Sequence, residues 1–398
     1  MPHKRIRLWP GLVAAMFLLL FKYIVPTILP DALPVAMFGG LGAGLLIIVW
    51  WAVFSRIPPL ERWGALLLMI VAIIAVRPLL HPSIANAGMG MLFPILALPM
   101  VTLALVLWAV VSRWFSTVLR RVTLGIVILL AVGAWTLIRT GGLNNEGNSD
   151  FAWRWQPTPE QQLLAQVDEG EDKTSAPFLV VQLDSTASWP GFRGSDRDGI
   201  IRGVRIETDW TDSPPVQIWR QPIGPGWSSF SVLGNVFYTQ EQRGEDEVVS
   251  CYDLATGEVV WRHTDNVRFW ESNSGPGPRG TPTLNNGRLY SLGATGILNV
   301  LDARDGTVIW TQNPASDTNI QVPYWGFSSS PLIVEDVVLV AVAGTLVAYE
   351  IYTGELLWSQ VADGDCYSSP HLATIHGIQH VLLQNSEGVS AYEIGRAH

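Results

Sequence analysis

The sequence predicts two unlike parts: an N-terminal α-helical membrane bundle of five spans, then an all-β propeller of four-stranded antiparallel blades, of which about four are visible. Three observations carry this. Five apolar stretches fall within the first 139 of the 398 residues. The charge changes sign beyond them. A unit ending in tryptophan then recurs, with Trp261, Trp310 and Trp358 spaced by 49 and 48 residues.

The apolar stretches run over residues 9–29, 35–54, 64–80, 92–111 and 122–138. Each approaches the ~20 helical residues that cross ~30 Å of hydrocarbon, the third being the shortest. A removable leader does not account for the first, since four more spans follow and no small-x-small cleavage pattern lies near Pro30. Lys22 sits inside that first span. A central lysine costs ~3 kcal/mol, and about eleven Leu, Ile, Val and Phe return roughly −5, so the helix still inserts. Lys22 is expected to extend toward the outer interface; the other reading is a contact with a quinone or ion inside the bundle.

Up to Arg139 there are 11 Lys/Arg against 2 Asp/Glu, and from Thr140 onward 14 against 32. The parts carry +9 and −18, together the net −9 of the chain. An acidic soluble part excludes binding to a nucleic-acid backbone, which needs basic residues to replace counterions. Two cysteines, Cys251 and Cys366, are too few for a disulfide framework or a zinc site. Basic residues in short loops orient the spans. Lys4, Arg5, Arg7, Arg56, Arg62, Arg113, Arg120 and Arg121 fall on one side, and only Arg77 and Arg139 on the other. The N-terminus is therefore expected in the cytoplasm and the C-terminal domain outside it, which for a bacterial inner membrane is the periplasm.

Residues 1–139 are thus the membrane domain, 140–188 an extracytoplasmic linker and 189–398 the propeller. In the linker, Phe151, Trp153 and Trp155 suit the headgroup level. Thr158-Pro159-Glu160 starts a short helix, with a capping hydroxyl, a proline in the first turn and an acid near the positive end of the dipole. "DEGEDKTS" after it is a solvated connector.

The repeats are "YDLATGEVVW", "LDARDGTVIW" and "YEIYTGELLW". Trp219 in "PPVQIWRQPIG" leads the first by 42 residues, and a fourth unit starts at "SAYE". Each unit opens on small residues ("WSSFSV", "RGTPTL", "SSSPLI", "YSSPHL"), continues through apolar strands and ends past a Gly turn at the tryptophan. Gly257, Gly306 and Gly354 supply the positive φ of a two-residue hairpin turn. Four short strands per unit describe a propeller blade. Trp219, Trp261, Trp310 and Trp358 are expected to dock blade against blade, a packing role rather than a catalytic one.

These residues carry a family resemblance. "YDLATGEVVW" resembles the tryptophan-docking repeat of quinoprotein propellers, and "WPGFRGSDRDGI" at 189–200 resembles the segment opening PQQ-binding-like β-propeller repeat proteins. The resemblance covers about half of the chain. It implies either of two functions. One is a membrane-anchored extracytoplasmic module that binds a periplasmic protein or small-molecule ligand without a cofactor, as in the scaffold lipoprotein of outer-membrane protein assembly. The other is a dehydrogenase using PQQ with Ca²⁺ to oxidise an alcohol or sugar and pass electrons to membrane quinone, since membrane-bound quinoprotein glucose dehydrogenases also have five N-terminal spans. The chain departs from the enzymes in blade number and in lacking adjacent cysteines; their Ca²⁺ ligands and catalytic aspartate match no residue here.

The loops before the innermost strands form one rim of a propeller. They hold Trp227, Trp270, Glu271, Asn273, Arg279, Tyr324, Trp325, Asp365, Cys366 and Tyr367, aromatics and a few polar groups that suit a planar ligand or a peptide. Arg279 is the best candidate to hold carboxylates such as those of PQQ. Asp196-x-Asp198-Gly199 resembles the start of a Ca²⁺ loop but lacks the later ligands, so a tight turn is expected. His371, His376 and His380 are scattered by strand alternation and the turn at Gly377, and no metal site is expected. Ile394-Gly395-Arg396-Ala397-His398 is also what a common library adapter encodes in one frame, so the natural protein is expected to run on and the propeller to form an open or strained arc.

Overall fold

The computed structural model describes residues 7–143, 149–168, 187–361, 364 and 366–393. The chain forms two compact units, Met1–Gln156 with Ser272–Ser274, and Pro157–Glu271 with Gly275–His398. Asp365, Lys4, Arg5, most of "DEGEDKTS" and the last five residues lie outside the described residues.

In the first unit five helices are long and apolar enough to cross a membrane: Trp9–Ile28, Pro34–Phe54, Pro59–Leu79, Leu92–Trp114 and Thr117–Leu137. The third starts five residues before the apolar stretch expected at 64–80, and the fifth five before 122. The reason is charge. Glu61, in the first turn of the third helix, is buried because Arg120 and Arg121 of the fifth reach it at 2.7 and 3.4 Å. Those arginines lie on a helix and not in a loop, with Ser116 capping its start through Leu119 N–H. Where Pro26 has no N–H to offer Lys22, the first helix widens into a π-turn over Leu20–Ile24, and Val25 N–H reaches Leu20 O instead. Lys22 lies in that turn, its Nζ 6.0 Å from the Tyr23 ring centre. A continuous core around Ile47, Trp51, Leu105 and Ile128 holds the bundle together. Indole N–H groups are satisfied where they enter it: Trp51 donates to Arg62 O at 3.0 Å and Trp108 to Thr123 Oγ1 at 3.0 Å.

The stretch read as a polar linker begins with a hairpin. Strands β1 (Ile138–Leu143) and β2 (Ser149–Trp153) pair antiparallel with Ile138 opposite Trp153. Trp153 and Trp155 stack at 5.1 Å. The aromatic residues thus close a hairpin as well as occupying the end of the bundle.

The helix Pro159–Asp168 opens the second unit. Thr158 and Gln161 form a reciprocal capping box, Gln161 N–H to Thr158 Oγ1 at 3.0 Å and Thr158 N–H to Gln161 Oε1 at 2.8 Å. Glu160 has another task than the helix dipole alone. Both its oxygens accept from Arg268, each at 2.8 Å, and it also takes Gly244 N–H.

Four antiparallel sheets follow. The first is β3 (Ser231–Leu233), β4 (Val236–Arg243), β5 (Asp246–Asp253) and β6 (Val259–Asp265), followed by the small ribbon β7 (Trp270–Glu271) and β8 (Gly275–Pro276). The second is β9 (Thr283–Asn285), β10 (Arg288–Leu292), β11 (Leu298–Asp302) and β12 (Val308–Gln312). The third is β13 (Leu332–Val334), β14 (Val337–Val342), β15 (Thr345–Glu350) and β16 (Leu356–Val361). The fourth has three strands among the described residues: β17 (His371–Ile375), β18 (Ile378–Asn385) and β19 (Gly388–Glu393).

Successive sheets share cores, because alternate residues of one strand face opposite neighbours. Along β14, Val338, Val340 and Val342 pack toward the second sheet, while Leu339 and Ala341 pack toward Val381 and Leu383 of the fourth. Three of the repeat tryptophans dock on the next unit's turn. Trp219 donates to Leu254 O, Trp261 to Ala303 O and Trp310 to Ile351 O, at 3.0, 3.2 and 3.1 Å. Trp219 lies outside any regular strand, and Trp358 is 38% exposed on a β16 that is exposed throughout.

The turns differ from the expected two-residue type. Beyond the last ladder pair, Tyr252 and Val259, four residues separate Asp253 from Glu258, with Asp253 N–H bonded to Glu258 O and Gly257 N–H to Asp253 O. The acid organises the loop: Asp253 Oδ1 accepts from Ala255 N–H, Thr256 N–H and Thr256 Oγ1, and Glu350 Oε2 does the same for Tyr352 and Thr353. Gly257, Gly306 and Gly354 do take positive φ, between 72° and 74°. A Cβ on any of them would meet the docked indole within 2.7 Å. Glycine is therefore required twice, for the backbone and for the ring.

Candidate ligand-binding rim

The small residues that open each unit build the frame. Ser229 N–H bonds Thr281 Oγ1 at 3.0 Å, Thr281 N–H bonds Ser330 Oγ at 2.9 Å, and Ser330 N–H bonds Ser369 Oγ at 2.8 Å. Each hydroxyl accepts from the unit before it, so a belt of hydroxyls joins the inner strands of all four sheets. The sequence displays these residues at equivalent places, but small size alone did not reveal the bonding.

The loops before β3, β9, β13 and β17 rise from this belt and are bonded to one another. Trp227 N–H donates to Pro278 O at 2.8 Å, Arg279 Nε to Trp325 O at 3.3 Å, and Ser328 Oγ to Tyr367 O at 2.6 Å. Five of the expected residues form the exposed surface of this side: Trp227, Trp270, Tyr324, Trp325 and Tyr367, each 38–52% exposed. Trp325 touches Tyr324 and Tyr367 edge to face at 5.8 and 5.3 Å.

The polar candidates are placed differently. Arg279 is buried, with Nη2 on Glu271 Oε1 at 3.2 Å and on Gly275 O at 2.8 Å, and it stacks over Phe269 at 5.1 Å. Burial lowers its pKa, and Glu271 and Glu247 pull the other way. The guanidinium expected to hold a ligand carboxylate is thus engaged in tying loops together. Asn273 lies in Ser272–Ser274, which group with the first unit. Cys366 is buried in the core between the third and fourth sheets, and Cys251 in that between the first and second. Burial pushes the Cys251 thiol well above its ordinary pKa, so it is no nucleophile.

The opening segment has a role that sequence reasoning missed. Trp189 pairs with Val232, and Pro190 O accepts from Leu284 N–H at 2.7 Å. Arg197 then reaches the carbonyls of Ser330, Pro331 and Pro370. Residues 189–197 therefore cross the inner edges of all four sheets. Beside them is a cleft of about 700 Å³, lined by Gly194, Arg197, Thr283, Asn285, Asn286 and Leu332 among others. Asp196 and Asp198 form the expected turn: Asp198 Oδ1 takes Ile200 N–H at 2.8 Å, and Arg202 bonds both carboxylates. A second unforeseen group is Glu241, fully buried on β4. Burial opposes its charge, but Arg243 and the hydroxyls of Ser250 and Tyr252 hold its pKa below the ordinary value. Its sequence neighbours Gln240, Gln242 and Arg243 are polar, so no signal in the sequence marked it as buried.

The donor set among the described residues does not match PQQ with Ca²⁺. Among the described residues no three His, Cys, Asp or Glu side chains come together as metal ligands. The cysteines lie in separate cores, and Arg279 bonds its own loops through Nε and Nη2 while its buried Nη1 has no hydrogen-bond partner among the described residues. His371, His376 and His380 fall on β17, its turn and β18.

A family profile described as outer membrane protein assembly factor BamB matches residues 217–396. The matched repeats are similar to those of the PQQ-like β-propeller superfamily. BamB of Shewanella oneidensis is 31% identical over 113 residues, 27% of this chain and 26% of that protein. A tetrathionate hydrolase of Acidithiobacillus ferrooxidans is 28% identical over 178 residues, 39% of this chain and 33% of that protein. The chain thus spans a quarter to a third of the curated relatives it matches. Among solved structures, a europium-containing methanol dehydrogenase aligns at 22% identity over 36% of this chain and 26% of that one, with a TM-score of 0.28.

Proposed function

We propose that this protein is a membrane-anchored, extracytoplasmic PQQ-like propeller that binds a protein partner through its aromatic rim. One observation carries the reading. Trp227, Trp270, Tyr324, Trp325 and Tyr367 remain exposed on loops that are otherwise rigidly cross-bonded, and exposed Trp and Tyr on a fixed frame are the usual anchors of a protein interface. The five apolar helices anchor the module in the bilayer, and the basic residues at their ends orient it outward. The description of the BamB relative as an assembly factor agrees with a binding role.

The test uses the full chain in its own membranes. A photo-crosslinking residue at Tyr324 should give a discrete adduct that Trp325→Ala weakens, with the protein's melting curve unchanged. Membranes supplied with PQQ and Ca²⁺ should not reduce an artificial electron acceptor beyond those lacking the protein. PQQ-dependent dye reduction without any rim adduct would overturn the reading in favour of a dehydrogenase that feeds membrane quinone.

A further inference from the structure

A shallow groove of about 160 Å³ runs between the third and fifth apolar helices, on the surface of the first unit. Its walls are Leu60, Gly64, Ala65, Leu68, Leu124 and Gly125. The two glycines make the room. A Cβ on Gly64 would meet nothing within 4 Å, and one on Gly125 only Leu68 Cδ2 at 3.9 Å. One end of the groove carries Glu61 and Arg121. Glu61 is neutralised by Arg120 at 2.7 Å. Arg121 meets Glu61 only through Nε at 3.4 Å; its side chain is 52% exposed, and no described hydrogen bond engages its terminal nitrogens.

The surroundings are basic. Arg7, Arg56, Arg62, Arg113, Arg120 and Arg121 belong to the helix ends and loops on this side of the bundle, against Glu61 as the acid among the described residues there. Three of the arginines lie against adjacent tryptophans: Arg7 on Trp9 at 5.4 Å, Arg62 on Trp63 at 5.6 Å and Arg113 on Trp114 at 4.2 Å. Trp and Arg together are the side chains that settle at headgroup depth, the ring in the interface and the cation toward phosphate. An apolar groove headed by an exposed guanidinium in a basic surround matches the apolar chain and negative headgroup of an anionic phospholipid.

We propose that this groove is a binding site for one anionic phospholipid, an acyl chain lying along Gly64 and Gly125 and the phosphate at Arg121. The proposal rests on the reading of the five helices as membrane spans. It adds a ligand class that the propeller does not involve.

The full-length protein, solubilised in mild detergent, would be titrated with phosphatidylglycerol and separately with phosphatidylcholine, and retained lipid read by native mass spectrometry. Phosphatidylglycerol should be retained in preference. Arg121→Gln should weaken its retention about fivefold, the share one basic residue contributes at an anionic surface. Gly125→Leu should weaken both lipids by filling the groove, and Arg121→Gln keeps the test decisive if that variant folds poorly. Glycerol phosphate, the headgroup without chains, should not compete. Equal retention of the two lipids, or a preference indifferent to Arg121→Gln, would sink the proposal. A carbonate wash separates the two levels of failure. Protein released from the membrane fraction would overturn the spanning reading together with this one. Protein that stays in the membrane but shows no headgroup preference would overturn this one alone.

Discussion

Trp310 shows how much one side chain does in a repeat. Its ring is buried between the second and third sheets, beside Tyr349 at 6.2 Å, and its N–H is satisfied by Ile351 O. Trp310→Ala should cost ~3–5 kcal/mol in denaturant melting, as large aromatic truncations in cores do. Trp358→Ala, at a half-exposed ring, should cost clearly less; equal losses would mean that docking is not what the repeat encodes. Glu247 offers a pH signature. Burial pushes its carboxyl from the ordinary 4.5 up to about 7, with Ala294 N–H and Arg279 working against the shift and Asp265 with it. Below about 4.5 the folded and unfolded chains both hold the proton and the contribution is complete. As pH rises toward 7 the unfolded chain has released it first, so stability is lost across that window, by about 3 kcal/mol. Unfolding midpoints at pH 5 and pH 7.5 should therefore differ less in Glu247→Gln than in the parent, and an unchanged difference would refute the assignment. Neither Glu247 nor Arg279 reveals its burial in the sequence. Both sit in polar-looking loops and strand ends, and only the fold brings the loops over them. The exposure of the aromatic rim residues was legible because a large ring in a loop has few packing reasons to be there; the burial of Arg279 was not, because an arginine in a loop looks alike whether it is exposed or bonds its own backbone.

At the scale of the element, the Asp-x-x-Thr-Gly turn links local chemistry to assembly. The acid caps the loop, the threonine closes it, and the glycine accepts both a left-handed backbone and the neighbouring indole. Gly306 and Gly377 separate the two demands. Both have φ near +75°, but a Cβ at Gly306 would lie 2.5 Å from the Trp261 ring and one at Gly377 would meet nothing within 4 Å. Gly377→Ala should cost about 1 kcal/mol, the backbone contribution alone. Gly306→Ala should cost markedly more and should quench or shift tryptophan fluorescence as the ring is displaced. Equal costs would leave the close approach without energetic weight. Strand content was readable from the tryptophan spacing and the apolar runs, since a repeated period constrains every copy at once. The turn length was not, because a Thr-Gly pair serves a two-residue turn and a four-residue acid-capped loop equally well. Helix starts were misread for a similar reason. Glu61, Arg120 and Arg121 look like loop charges until they are seen to neutralise one another across two helices.

For the whole molecule, the division of charge is the strongest guide to how the chain sits in a cell. Residues 1–139 carry +9 and residues 140–398 carry −18. Were the acidic part to remain on the same side as the basic loops, the chain would need an even number of crossings, whereas five helices meet the length and apolarity of a span. The third helix decides the parity. It was the shortest stretch by sequence, and the helix from Pro59 to Leu79 takes in Glu61, which Arg120 and Arg121 of the fifth helix pair. Two fusions test this. A reporter active only outside the cytoplasm, such as alkaline phosphatase, should be active when fused after Gly142, and a reporter that folds only in the cytoplasm should be silent there. Fused after Ser116, before the fifth helix, the two should exchange behaviour. Glu61→Leu removes the charge that the arginines neutralise and leaves them facing each other; if the pair sets the third helix's boundary, this variant should lower membrane-inserted protein without inverting it. Cytoplasmic-reporter activity after Gly142 in the parent chain would mean that one of the five helices does not cross, and the propeller would then belong inside.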